Sequence, residues 1–451
     1  MNLLYKRNLY FSFVFAIILL FFVLPVKFDL FWLVILYIIN ISFLIVNFIK
    51  SVFYIIGFFT SKDKYEPITN FPIYTILLPV KKESYLIMEQ LFESIYNLDY
   101  PKDKLDIKLI VDADDEATIE IAKNITNYKF ELVIVPEAKY KTKPLSCNYA
   151  LQFAKGEYTT IYDAEDVPFP EQLKMVVYKF SKLSADFICI QCPLNYYNNT
   201  TNFLTFCFSA EYSMWFDYTM KGINKIATFF PLGGNSNHFK TKELKEIGAW
   251  DGYNVTEDAE LGVRIAKSGY KISYTDSKTL EECPTKAKDW LKQRSRWFKG
   301  FIQTFLEHII YLKPKTIESK MKFKGIFSIS KINSLIFLTF LLFSFLSFIL
   351  STSMLFIAIF KSAKYTIPPN LNFLIIFNIK YFFAMIYIAN IIFFFRYKYK
   401  LNLKNLLFLI LSPLYWICHH IACLIAIYDL VFSPFYWRKT EHGKDKKYFK
   451  K

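Results

Sequence analysis

The chain runs from a β-prone segment, Tyr158-Thr159-Thr160-Ile161-Tyr162, directly into the acidic step Asp163-Ala164-Glu165-Asp166. Aromatic and β-branched side chains favour a buried strand here. Acids just past a strand bring carboxylates near one point, and hard cations such as Mg²⁺ bind carboxylate oxygens. Asp163 and Glu165 are therefore a candidate metal pair at the end of a strand. A solvated acidic turn that caps the next helix is the alternative.

Strand-like and helical runs alternate on the N-terminal side of this segment. Alternation of this kind is typical of an open, mostly parallel α/β sheet, whose ligands bind beyond the carboxyl ends of the strands. Asp112, Asp114 and Asp115 follow a second predicted strand and should lie at the same edge. We predict strands at 74–79, 107–111, 130–135 and 158–162, and helices at 83–96, 116–127 and 144–155.

The composition fits a protein that is part membrane and part cytosolic enzyme. Of its 451 residues 54% are hydrophobic and 20% aromatic, yet 21% are charged, and the formal net charge is +16. The basic residues flank hydrophobic segments, which indicates topological retention and contact with anionic lipids. No basic stripe lies apart from these flanks, so nucleic-acid binding is not expected. Cys189 and Cys192 lack the further cysteines or histidines of a zinc site.

Long hydrophobic runs divide the chain. They predict a transmembrane hairpin at 1–64, a soluble α/β domain at 65–314, further spans at 315–437 and a basic cytoplasmic tail at 438–451. Lys6 and Arg7 before the first run favour a cytoplasmic N-terminus. Five or six spans fit, with Ser351 or the Ser412-Pro413 step as breaks in the longer runs.

Two helix starts in the α/β domain carry charged groups. Lys143 and Pro144 open one helix, where a lysine and free amide groups can meet phosphate; an ordinary exposed lysine is the alternative. Thr256-Glu257-Asp258 opens another, with Gly269 past its end. Asp258 suits a general base for a sugar hydroxyl, although acids also stabilise helix starts through the macrodipole.

Two further stretches bear on binding. Gln293-Arg294-Ser295-Arg296-Trp297 joins guanidiniums, which fit phosphate oxygens, to an indole that covers the apolar face of a sugar. Alone it also fits a basic amphipathic patch beside a membrane. The glycine-rich loop Pro231–His238 can be approached closely by an acceptor at Gly233 and Gly234, or can be a simple turn.

In this order the motifs resemble family 2 glycosyltransferases of the cellulose synthase and hyaluronan synthase type. The resemblance covers Pro79 to Lys299. Within that family the chain is most similar to the bacterial subgroup described as XagB-like or phage-N4-adsorption-protein-B-like. Four runs carry this closer resemblance, namely Thr142–Ala150, Tyr162–Asp166, Tyr253–Ala259 and Phe435–Gly443.

The resemblance implies a GT-A (Rossmann-like) α/β glycosyltransferase domain inserted between transmembrane helices, a nucleotide-sugar donor such as a UDP-sugar, Mg²⁺ or Mn²⁺, and inversion at the anomeric carbon. Asp258 would be the catalytic base, and Asp163 with Glu165 would hold the metal. The implied donor-binding residues are Glu83, Asp112, Asp114, Lys143, Asp163, Arg294 and Arg296. The implied acceptor-binding residues are Gly234, Asn235, Glu257, Gln293 and Trp297.

Some implied features stay open. Glu165 stands where many relatives have Asp, so Asp166 is an alternative ligand. The implied location is the inner (plasma) membrane with the catalytic domain cytoplasmic, and export or accessory subunits are conceivable partners. The product is either an extracellular β-linked polysaccharide made processively or one sugar on a lipid acceptor. A non-enzymatic membrane scaffold is the least favoured reading.

A processive enzyme needs a path for its polymer between the spans. Intramembrane polar side chains normally face an interior, so they are candidates to line such a path. Hydrogen bonding between helices is the equally favoured alternative. The candidates are Asn333, Ser344, Ser347 and Asn378.

Overall fold

The computed structural model describes residues 3–18, 29–138, 141–310 and 368–436. The part 315–367 of the region predicted to hold further spans lies outside these residues, as do the basic tail 438–451 and the candidate break at Ser351. The same holds for three of the four candidate path residues, Asn333, Ser344 and Ser347. The number of spans in the whole chain therefore stays a prediction.

The described residues form a seven-stranded sheet in the order β3-β2-β1-β4-β8-β6-β9 and a three-stranded sheet in the order β5-β10-β7. The strands are β1 Tyr74–Pro79, β2 Leu105–Asp112, β3 Glu131–Val135, β4 Tyr158–Ile161, β5 Val167–Pro168, β6 Phe187–Gln191, β7 Leu194–Tyr196, β8 Asn237–Lys240, β9 Lys271–Tyr274 and β10 Thr279–Glu281.

The helices flank these two sheets. Those before β8 are α1 Leu3–Ile18, α2 Asp29–Phe59, α3 Tyr85–Tyr96, α4 Glu116–Asn124, α5 Lys143–Leu151, α6 Gln172–Lys182, α7 Phe203–Tyr212 and α8 Lys221–Ile226, with a π-helical stretch at Ser213–Met220 and a 3₁₀ turn at Lys102–Lys104. Those after β8 are α9 Thr241–Glu246, α10 Glu257–Lys267, α11 Ala287–Ile310, α12 Pro369–Arg396 and α13 Leu403–Phe432.

The four predicted strands and three predicted helices are confirmed, with ends that differ by a few residues. The pairing of β1 with β2 and β4, and of β2 with β3, is parallel, as alternation with helices requires. The other half of the sheet is mixed, because β8 runs antiparallel to both β4 and β6. The sequence pattern does not mark this reversal, which depends on a partner strand far away in the chain.

Among the described residues, three helices are long and apolar enough to cross a membrane. They are Leu36–Phe59, Pro369–Arg396 and Leu403–Phe432, with mean hydropathies of 2.0, 1.8 and 1.8. The last helix continues through Pro413, so the predicted break at Ser412-Pro413 is wrong. Proline has no backbone N–H and so removes one hydrogen bond from the helix. In a spanning helix, groups on neighbouring helices can compensate for that loss. The Asn378 side chain donates to Asn40 on α2 at 3.0 Å, which is the helix-to-helix role.

The backbone of helix α2 lies directly against the backbone of the α/β domain. A Cβ added to Gly57 would lie 1.8 Å from the carbonyl oxygen of Tyr218, and one added to Gly222 would lie 1.9 Å from that of Phe53. Only glycine permits such an approach. Helix α2 is therefore locked against the π-helical stretch and α8.

Candidate active site

The acids predicted at strand ends do meet at one edge of the sheet. Strands β1, β2 and β4 are parallel, with Leu77 paired to both Lys108 and Ile161. Asp112 ends β2, and Asp163 comes two residues after the end of β4. The two acidic segments therefore share the carboxyl edge where α/β sheets bind ligands.

Lys143 joins this edge from the start of α5. Pro144 stands in the first turn of that helix, as its fixed φ favours. The Lys143 ammonium forms an ion pair with an oxygen of Asp163. Burial would lower the pKa of Lys143, but the charges of Asp163 and Glu257 raise it above its ordinary value. Lys143 therefore stays a cation beside the carboxylates.

Asp166 braces the turn that presents Asp163. Its Oδ2 accepts hydrogen bonds from the backbone N–H of Asp163 at 2.7 Å and from the Asn235 amide at 2.6 Å. Burial, together with the nearby Asp163, Glu281 and Glu165, raises its pKa well above the ordinary value. This geometry leaves Asp163 and Glu165 as the predicted metal pair, with Asp166 behind them.

A further carboxylate at this edge, Glu281, is not among the site residues predicted from the sequence. It ends β10, whose Leu280 pairs with Val167 immediately after the acidic step. Burial, with Glu165 and Asp163 nearby, raises its pKa to about 8. Nothing in the local sequence signals this role, because a short strand from far along the chain brings the carboxyl group into the crevice.

The start of α10 supplies the predicted base. Thr256 takes the N-cap position, but its side chain bonds Asn254 and makes no cap hydrogen bond. Burial raises the pKa of both Glu257 and Asp258, while the cations Lys143 and Arg296 act in the opposite direction. Gly234 lies next to this start, since a Cβ added there would be 3.9 Å from Asp258 Oδ2.

The QRSRW segment lies within α11, which packs closely on the start of α10. A Cβ on Gly300 would lie 2.3 Å from Thr256 Oγ1. Arg296 experiences the charges of Glu257, Asp258 and Asp163, while its own burial lowers its pKa. The crevice thus gathers Arg296 and Lys143 around three carboxylates.

The other predicted residues of α11 have different neighbours. Trp297 stacks on Tyr212, with ring centroids 6.1 Å apart. Arg294 turns away from the carboxylates and forms a two-pronged ion pair with Glu211. Gln293 is buried, and its amide oxygen has no hydrogen-bond partner among the described residues. Contact of Arg294 with a diphosphate stays a prediction that this geometry does not favour.

At the predicted nucleoside end, two acids are held by lysines. Asp112 accepts from Lys81 and from the Ser146 hydroxyl, each at 3.0 Å, and the exposed Asp114 pairs with Lys141 at 2.8 Å. Asp115 instead caps α4 and accepts from the backbone of the loop after β1. Glu83 lies in that same loop, half-buried, and its role stays a prediction.

The donor set fits the implied divalent cation. Within the described ranges, no three His, Cys, Asp or Glu side chains converge as a ready-made metal site. Mg²⁺ commonly takes one or two carboxylates and completes its shell with substrate phosphates and water. Burial raises the pKa of Glu281, and the charges of Glu165 and Asp163 add to that effect, so a cation at this edge would offset their repulsion.

Comparison with known proteins agrees with this fold. The family described as "Glycosyltransferase like family 2" matches residues 72–300, more than half of the chain. Probable glycosyltransferase YdaM of Bacillus subtilis is 27% identical over 271 residues, 56% of this chain and 61% of that protein. Probable glucomannan 4-beta-mannosyltransferase 7 of Oryza sativa is 27% identical over 252 residues, 51% of this chain and 41% of that protein.

One solved structure is similar along almost its whole length. It is the mannosyltransferase PcManGT from Pyrobaculum calidifontis in complex with GDP-Man and Mn²⁺. The TM-score is 0.53 at 17% identity, and the match covers 86% of this chain and 99% of that one. At this identity the likeness shows the fold alone, a GT-A-like domain flanked by long apolar helices.

This protein belongs to glycosyltransferase family 2. The sequence predicted a GT-A fold flanked by long apolar helices, and this prediction is confirmed. The chain spans less than two thirds of each curated relative, so its donor, acceptor and product are the subject of the proposal below.

Proposed function

We propose that this protein is a membrane-bound inverting hexosyltransferase that extends a β-linked extracellular polysaccharide from a nucleotide sugar. The observation that carries the proposal is the crevice itself. A carboxylate with a raised pKa, Asp258, lies among the cations Arg296 and Lys143 and near the strand-end acid Asp163. The closer resemblance to the XagB-like subgroup forms part of this proposal.

The proposed reaction is a single displacement. Asp258 accepts the proton of an acceptor hydroxyl, whose oxygen attacks the anomeric carbon of the donor. The bond from that carbon to the diphosphate oxygen breaks, and the electron pair leaves with the nucleoside diphosphate. Lys143 and Arg296 lie where they can stabilise the negative charge that develops on this leaving group. Attack from the face opposite the leaving group inverts the anomeric carbon.

A divalent cation belongs to the proposed site. Asp163 and Glu165 would hold Mg²⁺ or Mn²⁺, which supplies charge neutralisation of the diphosphate. Glu281 and Asp166 would lie behind this pair, where their raised pKa values favour the neutral forms and Asp166 braces the turn. Glu83, Asp112 and Asp114 are proposed for the nucleoside, at the ends of β1 and β2.

The donor base and sugar follow from two different supports. Resemblance to the cellulose and hyaluronan synthases favours a UDP-sugar. The structural neighbour was solved with GDP-Man, and the rice relative is named for mannosyl transfer, which favours GDP-mannose. The proposed acceptor side comprises Gly234, Asn235, Glu257, Gln293 and Trp297.

A donor panel tests the proposal. Purified enzyme in lipid nanodiscs receives Mn²⁺ and one radiolabelled donor at a time: UDP-glucose, UDP-N-acetylglucosamine, UDP-galactose or GDP-mannose. We expect transfer from one donor into products that lengthen with time. Absence of transfer from every donor, while membranes from the same cells transfer, would contradict the proposed activity. A product of one sugar on lipid, with no longer species at high donor, would replace polymerisation with glycolipid synthesis.

The proposed topology has its own test. Nucleotide sugars are made in the cytoplasm, so the α/β domain is proposed to face that side of the plasma membrane. Cysteine placed at the exposed position Lys182 should react with an impermeant maleimide only after the cells are permeabilised. Labelling of intact cells at this position would reverse the orientation.

A further inference from the structure

Arg294 and Glu211 form a buried ion pair beside the proposed acceptor tryptophan. Arg294 Nη1 donates to Glu211 Oε1 at 2.9 Å, and Nη2 donates to Oε2 at 2.7 Å. Both side chains are largely buried, with 9% and 16% of their surfaces exposed. Burial alone would raise the pKa of Glu211, but the charge of Arg294 lowers it to about 2. The pair is therefore charged at every physiological pH.

The same guanidinium lies against the ring of Trp297. Its carbon is 4.7 Å from the centroid of Trp297, 4.7 Å from that of Phe208 and 5.4 Å from that of Trp290. A cation over an indole face is held by the ring quadrupole, more strongly when it is desolvated. Glu211 fixes the guanidinium, and the guanidinium in turn limits where the Trp297 ring can lie.

The other side of the pair reaches the last described span. The Tyr415 hydroxyl, on α13, donates to Glu211 Oε2 at 2.5 Å, and His419 Nε2 lies 3.5 Å from the same oxygen. Helix α13 thus contributes directly to the surroundings of the carboxylate. Trp297 is linked to a membrane helix through two side chains.

Little space remains between Glu211 and the spanning helices. A cavity lined by Glu211, Tyr415 and Trp416 has a volume of about 10 Å³, which is enough for about one water molecule. A sugar ring therefore does not fit on this side of Glu211, and the Arg294 guanidinium is occupied by Glu211 and three aromatic rings. The contact that joins the pair to the proposed acceptor side is the one between Arg294 and Trp297.

We infer that Glu211 and Arg294 are positioning residues, which hold the Trp297 ring against the acceptor sugar and tie its position to helix α13. The inference rests on the proposed function and assigns Arg294 a role different from diphosphate binding. A loosened Trp297 leaves the donor and the base Asp258 in place but misplaces the attacking hydroxyl. Water, which needs no such platform, can still attack the donor.

The test measures two rates in the same sample: transfer to a soluble β-1,4-linked oligosaccharide primer and hydrolysis of the donor to free sugar. The variants are Glu211→Gln and Arg294→Lys, which keep size or charge but lose the two-pronged pairing. We expect the ratio of transfer to hydrolysis to fall by about 10²-fold, the scale of a misplaced reactant. The KM for the donor should stay unchanged.

A second buried ion pair provides the matched control. Asp217 and Lys278 pair at 2.9 Å, and Lys278 also donates to the Tyr397 hydroxyl just after the end of α12. Asp217→Asn and Lys278→Gln remove a comparable pairing from the same domain. These variants should keep the wild-type ratio of transfer to hydrolysis, even where their thermal stability falls.

A double variant keeps the test open to failure if a single variant does not fold. Glu211→Leu with Arg294→Met removes both buried charges, which proteins often tolerate better than loss of one partner. Its ratio should remain as low as that of the single variants. Equal loss of transfer and hydrolysis, or a wild-type ratio in the folded double variant, would overturn the inference. A wild-type enzyme that neither transfers nor hydrolyses any donor would instead contradict the proposed function.

Discussion

Arg294 and Arg296 stand two positions apart on one helix yet lie in opposite environments. Arg294 is tied by two hydrogen bonds to Glu211 and surrounded by aromatic rings. Arg296 faces the crevice, near Glu257, Asp258 and Asp163, and its burial lowers its pKa. Residues two apart on a helix point in different directions, so one segment serves both a structural pair and a charged site.

The difference shows that two arginines of one basic motif can have unrelated partners. The sequence pattern treats the two guanidiniums alike, as a pair suited to phosphate. The fold separates them, because Arg294 pairs with a carboxylate on α7 whereas Arg296 lies near the acids at the start of α10. The predictions below test whether the two sides of α11 contribute to different steps.

The largest effect should come from removal of the divalent cation on the crevice side. We expect chelator-treated enzyme to lose all measurable transfer and to recover it with Mg²⁺ or Mn²⁺, because the leaving diphosphate needs charge stabilisation. Initial rates before and after rigorous chelation check this expectation. Full activity in the chelated enzyme would remove Asp163 and Glu165 from the proposed metal role.

Asp258→Asn should lower turnover by at least ~10²-fold, the usual scale for a general base, with nearly normal donor binding. Stopped transfer together with retained binding of labelled nucleotide would place Asp258 in the chemical step. Asp186→Asn is the matched control, since Asp186 is partly exposed and pairs only at the surface with Lys271. Near-normal turnover of the Asp258→Asn enzyme would return this acid to a helix-start role.

Arg296→Gln tests directly whether the two arginines differ in their contribution to donor binding. Loss of hydrogen bonds to a charged partner is worth about 1.5–3 kcal/mol, so we expect the donor KM to rise roughly 10–100-fold. Arg294→Lys should leave the donor KM unchanged. If both substitutions raise the donor KM equally, the two arginines act together on the diphosphate and the separation proposed here is wrong.

The smallest expected effect is a shift in the pH profile. Burial raises the pKa of Asp258 to about 6, and Arg296 acts to lower it. The base works when deprotonated, so kcat/KM should fall about tenfold per pH unit below about pH 6. Arg296→Gln should move this acid limb to higher pH, whereas Arg294→Gln should not. An acid limb near pH 4 would show that Asp258 titrates as an ordinary aspartate.

Local sequence patterns were enough to predict much of the acidic edge of the sheet. Strand and helix periodicity predicted Asp112 and Asp163 at the ends of parallel strands. This was possible because residues only a few positions apart mark each strand. The roles of Glu211 and Glu281 were not predictable in the same way. Glu211 lies 83 residues from its partner Arg294, and Glu281 reaches the acids through pairing of two short strands. Contacts at such separations leave no period or spacing in the sequence.

The contact of Gly57 with the backbone of Tyr218 has a practical consequence for anyone preparing this enzyme. A soluble fragment that begins after α2 would lose the surface that buries the π-helical stretch, and it would expose apolar side chains to water. Such a fragment should aggregate, since large exposed apolar patches associate. The catalytic part is therefore best extracted and assayed with its membrane helices attached.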